Sequence, residues 1–160
     1  MITVDVARGL GNDYSAFIVF DITNFPYKAV AKYRNNEIKP MLFPSIIDDI
    51  GKAYNKAFIL CEVNDIGDQV ASILNYDLEY DNLLMCSQRG RAGQVVGAGF
   101  SGKRSQLGVR TTQAVKKLGC SNLKTLLEDD KILIIDYDII SELTTFSQKH
   151  NSFEAEEGCN

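Results

Sequence analysis

Zinc coordination and disulfide cross-linking are the chemistries for which this chain has least material. Its only histidine is His150, and Cys61, Cys86, Cys120 and Cys159 lie far apart with no CxxC pair, so the ligand spacing of a zinc site is missing. The cysteines read as reduced, structural thiols and His150 as a surface or structural residue. Runs of about eighteen apolar residues are absent, and the N-terminus has no basic-then-apolar layout, so neither a membrane span nor export is expected and a cytosolic setting follows. One long stretch is free of acidic residues. Between Asn82 and Leu127 there is no Asp or Glu, while Arg89, Arg91, Lys103, Arg104, Arg110, Lys116, Lys117 and Lys124 give a local charge of +8 within a chain of net charge −4. A basic face on an otherwise acidic body suits a protein that meets a polyanion through one surface.

The 160 residues, 45% of them apolar, are enough for one domain with a real core, and residues 1–160 are read as a single domain. Ile2–Val6 and Ser15–Ile22 are apolar runs of strand character, and Tyr27–Tyr33 alternates with period two, which predicts a three-stranded antiparallel meander. Ile46, Ile47, Ile50, Ala53 and Tyr54 recur at helical spacing. Ala57–Glu62 reads as a buried strand ending in a carboxylate, Gly67–Leu74 as a second helix and Leu83–Cys86 as a further short strand. From Ser87 to Gly108 the periodicity vanishes and six of the twelve glycines occur, which predicts a glycine-rich basic loop or irregular hairpin. Helical spacing resumes over Thr111–Leu118 and again, after Gly119, over Ser121–Leu127, with Ser121 suited to a helix N-cap. Ile132–Ile135 reads as a last strand, and Ile139–Phe146 fits either period. The order predicts an α/β fold with a mixed sheet.

Two carboxylates stand in notable places. Asp5 sits inside the first apolar strand between Val4 and Val6, where propensity disfavours it, and Glu62 closes the strand after the crossover helix. Ligands of open α/β sheets gather beyond the carboxyl ends of strands. If the two strands are neighbours, their acids converge into an oxygen donor set suited to Mg²⁺ or Mn²⁺. The glycine-rich stretch offers a rival, since Gly97 to Gly102 fits G-x-G-x-x-G and Lys103-Arg104 nearly completes a phosphate loop. Arg104 occupies the place of the required hydroxyl, however, and no strand-loop-helix context is evident, so a basic arm against a DNA backbone fits those residues better.

Val4-Asp5-Val6-Ala7-Arg8-Gly9 with Asp13 following, then Cys61-Glu62-Val63-Asn64-Asp65-Ile66-Gly67, then Ala155-Glu156-Glu157-Gly158-Cys159-Asn160, resemble in order the motifs of the nuclease domain of large terminase subunits from tailed phages of the myovirus type. The resemblance covers almost the whole chain and implies a ribonuclease-H-like fold. It implies Asp5 and Glu62 as catalytic metal ligands for Mg²⁺ or Mn²⁺, Asp13 as an accessory acid, and a third acid just past Asn160. Asp136 and Asp138 do not match that third position. It further implies a two-metal endonuclease that cuts concatemeric double-stranded DNA with little sequence preference during headful packaging. The preceding ATPase domain, the small terminase subunit and the portal would be its partners, and the host cytoplasm at the procapsid its place. On this resemblance the chain is expected to be a fragment, with the ATPase domain and the extreme C-terminal part outside it. A junction resolvase or transposase-like nuclease on the same fold, and a non-catalytic DNA-binding module, remain alternatives.

Overall fold

The computed structural model describes residues 1–88, 94–97, 105–149 and 152–155. Strands β1 (Ile2–Asp5), β2 (Ser15–Asp21) and β3 (Tyr27–Asn35) form the expected antiparallel meander. Helix α1 (Phe43–Ala53) carries the chain across to β4 (Ile59–Cys61), which pairs in parallel with β1, Val4 opposite Cys61. Helix α2 (Gly67–Ser72) runs on into a π-turn at Ile73–Asp77. After an excursion through β5 (Met85–Gln88), β6 (Gln94–Gly97) and β7 (Ser105–Leu107) come α3 (Gln113–Glu128), β8 (Ile132–Leu133), α4 (Tyr137–Thr145), β9 (Phe146–Lys149) and β10 (Ser152–Ala155). The main sheet has five strands in the order β4-β1-β2-β3-β8, with β8 parallel to β3.

Strand alternation divides this sheet into two unlike faces. Ile2, Val4, Phe17, Val19, Ile59 and Cys61 point to one face and are buried beneath Phe43 and Ile47 of α1 and Val70 and Ala71 of α2. Phe43 stacks on Phe17 at 6.1 Å and on Tyr33 at 5.6 Å, closing the core over the β2–β3 pair. The residues between these, Thr3 and Asp5 of β1 and Ala16 and Ile18 of β2, point to the other face, which is only partly covered. Helix α4 is tied to that face of β3. Lys32 Nζ donates to Asp136 at 2.6 Å and to Asp138 at 2.5 Å, and Arg34 pairs with Glu142 at 2.9 Å. Asp136 and Asp138 are thereby committed to a structural ion pair at the β3 side of the sheet.

Three features go beyond the sequence expectation or depart from it. The described parts of residues 87–108 belong to a small three-stranded sheet ordered β6-β5-β7. Both ends of this excursion are stitched to the outer edge of β4. Leu84 N–H donates to the Ile59 carbonyl at 2.8 Å, and Val109 N–H to the Cys61 carbonyl at 2.8 Å. Second, α3 is continuous through Gly119, whose missing side chain faces open space, so the break before Ser121 does not occur. The N-cap is Thr112, whose side chain accepts from Val115 N–H at 3.3 Å. Third, Ile139–Phe146 resolves into the end of α4 and the start of β9, with Asp136 capping α4 through the Asp138 and Ile139 amides. Cys61, Cys86 and Cys120 are free thiols, as expected, and burial pushes the Cys61 thiol up to about 12. Among the described residues, no helix is long and apolar enough to cross a membrane.

Candidate active site

Asp5 is the last residue of β1 and Glu62 the first residue after β4, one step past the Val4–Cys61 pair. Glu62 N–H donates to the Val4 carbonyl at 2.9 Å, which continues the parallel ladder to the site. Paired residues of parallel strands share a sheet face, and both acids alternate with buried neighbours. Their carboxyls therefore converge on the face opposite α1 and α2. This explains an aspartate in an apolar strand: its side chain never enters the core.

The electrostatics follow from that convergence. Asp5 has its carboxyl pushed up from 3.8 to about 6, first by partial desolvation, then by the charge of Glu62 and a hydrogen bond shared with it, with Asp13 adding a smaller push and the Val6 amide opposing. Its side chain still reaches solvent on one side, through an open groove of about 490 Å³ that Arg8, Asp13, Tyr14 and Arg34 also line. The loop bearing Asp13 is pinned at both ends. Buried Ser15 bonds both the amide and the carbonyl of Ala7, at 3.0 and 3.3 Å, and Lys39 donates to the Gly9 carbonyl at 3.0 Å. Across the mouth, Arg8 forms a two-point ion pair with Asp65, at 2.8 and 2.5 Å, joining the loop after β1 to the turn after β4. That pair holds the Asp65 carboxyl below the usual carboxylate range. Arg34 stacks on the Tyr14 ring, 3.8 Å from its centroid.

Glu62 is held from its own turn. Asn64 Nδ2 donates to Glu62 Oε1 at 3.0 Å, and Gly67 lets the start of α2 lie against the Glu62 carbonyl, where a Cβ would collide. Among the described residues, no group of three or more His, Cys, Asp or Glu side chains gathers around a common centre. The pair nevertheless suits a divalent cation. Both donors are hard oxygens, and the mutual repulsion that raises Asp5 is what a bound cation would reverse.

Of the other residues expected at the site, Asp13 lines the groove and acts on Asp5 through its charge. Arg110 directly follows the Val109–β4 contact, and Lys116 and Lys117 lie in the first half of α3, Lys116 sitting 5.8 Å from the Phe146 ring centroid. Arg89, Arg91, Lys103 and Arg104 lie outside the described residues, as do His150, Cys159, the tail from Glu156 to Asn160 and most of the G-x-G-x-x-G segment. Arg8, Arg34, Tyr14 and Asn64 escaped sequence reasoning. Arg8 and Asn64 stand inside the motifs around Asp5 and Glu62, a signal that could have found them, whereas nothing marked Arg34 or Tyr14.

An antiparallel meander continued by a parallel strand, with acids at the adjoining ends of the first and fourth strands, defines a ribonuclease-H-like domain. The family described as terminase RNaseH-like domain matches residues 2–160, and the chain belongs to that family. Membership marks it as a nuclease domain of the terminase type, with DNA and the packaging complex as its general partners.

The raised Asp5 carboxyl carries a testable consequence. An unfolded chain loses this proton near pH 4 and the native chain near pH 6. Native protein therefore binds more protons between those values, and stability falls as pH rises through them. The whole shift would be worth about 3 kcal/mol in a dry site, but solvent contact at Asp5 reduces this to about 1 kcal/mol. Asp5→Asn is expected to raise the cation-free melting temperature at pH 8 by roughly 2–4 °C and to match wild type near pH 4. A gain that stays constant across that range in calorimetry would remove the Asp5–Glu62 repulsion from the explanation.

Proposed function

We propose that this chain is the metal-dependent endonuclease domain of a viral DNA-packaging terminase, cutting concatemeric double-stranded DNA with little sequence preference. The observation that carries the reading is the placement of Asp5 and Glu62 on one sheet face at the ends of neighbouring parallel strands. Magnesium or manganese held there, as one or two ions, would supply Lewis-acid stabilisation of the phosphate and an activated water for hydrolysis. Asp5 and Glu62 bind, and Asp13 adds negative potential beside them. Arg8 and Arg34 line the same groove, each paired with a carboxylate, and add positive charge beside the acids. The acid-free stretch supplies the wider DNA face through Arg89, Arg91, Lys103, Arg104, Arg110, Lys116 and Lys117. In this reading the domain is one part of a longer chain. It works beside an ATPase domain, a small terminase subunit and the portal, in the host cytoplasm at the procapsid.

Phosphate contacts predict a specific salt law. If about four cations engage the duplex, log K against log salt has a slope near −3.6, from roughly −0.9 per contact. Replacing Arg89, Arg91, Lys103 and Arg104 together by alanine should flatten that slope and weaken unrelated duplexes about equally. Fluorescence titrations at several salt concentrations, run beside a plasmid-nicking assay with Mg²⁺, Mn²⁺ or EDTA, measure both. A slope unchanged in the four-alanine variant, or nicking that survives EDTA, would overturn the corresponding half of the proposal.

A further inference from the structure

The side chain of Asn64 has both of its amide hydrogens assigned. Nδ2 donates to Glu62 Oε1 at 3.0 Å and to the Thr111 carbonyl at 2.9 Å, while Oδ1 accepts from Thr111 N–H at 3.1 Å. A primary amide has two N–H bonds, so one of them is fixed in direction by the other. The frame around it is rigid as well. Thr111 lies two residues beyond Val109, which exchanges backbone hydrogen bonds with Cys61 and Val63 at 2.8 and 2.9 Å, and the Asn64 carbonyl accepts from Gly67 N–H at 3.0 Å. Asn64 thus extends the β4-edge ladder by one rung made of a side chain, and its spare N–H is aimed at Glu62.

We infer that Asn64 is a positioning residue, which holds the Glu62 carboxylate toward Asp5 so that the two present a preformed oxygen pair to a divalent cation; this rests on the metal-binding reading proposed above. Glu62 has a long side chain and a like charge beside it, so without a tether it gains both rotamer entropy and electrostatic relief by turning away. Lysine or arginine at position 64 would hold it equally well but would cancel the charge that attracts the cation. A neutral donor orients without neutralising. Partners of this kind behind a metal ligand are typically worth roughly 10- to 100-fold in metal affinity.

Manganese binding to the 160-residue chain, measured by isothermal titration calorimetry, tests this in a double-mutant cycle. Asn64→Ala should weaken Mn²⁺ binding about tenfold or more, Glu62→Gln at least as much, and Asn64→Ala added to Glu62→Gln should cost nothing further. A purely structural role would instead give independent losses that multiply, and that result overturns the inference. Asn64→Ser, which keeps a hydroxyl for the Thr111 amide but is too short to serve both partners, should reproduce the affinity loss with a melting temperature nearer wild type. It decides the matter if the alanine variant does not fold. Wild-type Mn²⁺ affinity in both Asn64 variants, with loss in Asp5→Asn and Glu62→Gln, refutes the positioning role alone. Wild-type affinity in Asp5→Asn and Glu62→Gln refutes the metal reading and the inference with it.

Discussion

Asp5→Asn is expected to reduce Mg²⁺- or Mn²⁺-dependent DNA cleavage by at least about 10³-fold while leaving duplex affinity at or slightly above the wild-type level. The size follows from losing a metal ligand, which removes several kcal/mol of transition-state stabilisation at about 1.4 kcal/mol per tenfold. The direction of the binding change follows from charge. Asparagine deletes a negative group that lies beside Glu62 in a groove also lined by Asp13, Asp65 and Glu142, and leaves the acid-free stretch intact. With the cation absent the same substitution should make the fold more stable, so lost activity cannot be attributed to unfolding. Parallel nicking and binding titrations check this. Cleavage retained without the Asp5 carboxylate would contradict the mechanism, and cleavage and affinity lost together would point to a damaged DNA surface instead.

Gly108→Ala is expected to destabilise the domain by about 3 kcal/mol or more and to impair cleavage as well. Gly108 has φ +99°, a region that residues with a side chain rarely adopt, and a Cβ there would collide with the Cys61 carbonyl. The clash is with backbone, so rotation of a side chain cannot relieve it. Either β4 shifts or the segment from Val109 to Thr111 leaves its edge, and both routes displace Glu62. At roughly 2–4 °C per kcal/mol for a chain of this size, the melting temperature should fall by about 6–12 °C. A variant that melts within a degree of wild type would show that the excursion returns to β4 differently.

Much of this was legible in the chain because it was local. The apolar runs Ile2–Val6 and Ser15–Ile22 and the alternation over Tyr27–Tyr33 were enough to predict the meander, and an apolar run ending at Glu62 marked the strand whose end faces Asp5. What stayed hidden depends on pairing across distance. Strand β6 is four residues closed by a glycine and has meaning only beside β5, and the strand expected over Ile132–Ile135 is present but shortened to the two residues that pair with β3. Gly119 looked like a break because propensity alone says so, yet a glycine on the open side of a sixteen-residue helix costs only about 1 kcal/mol, which the remaining turns absorb. The place of Asn64 two residues after Glu62 was visible, but its role was not, because its partner Thr111 lies 47 positions further on. Asp136 and Asp138, already set aside as the third acid, have their partner Lys32 more than 100 positions earlier.

The carboxylate pair is tested most directly by anomalous diffraction from crystals of the chain soaked in Mn²⁺. The expected result is a manganese peak between Asp5 and Glu62, with an oxygen of each about 2.0–2.2 Å from the ion, that disappears in Asp5→Asn crystals soaked in the same way. A saturating soak that leaves this position empty, or a peak bound only by other residues, would contradict the assignment of Asp5 and Glu62 as the metal ligands.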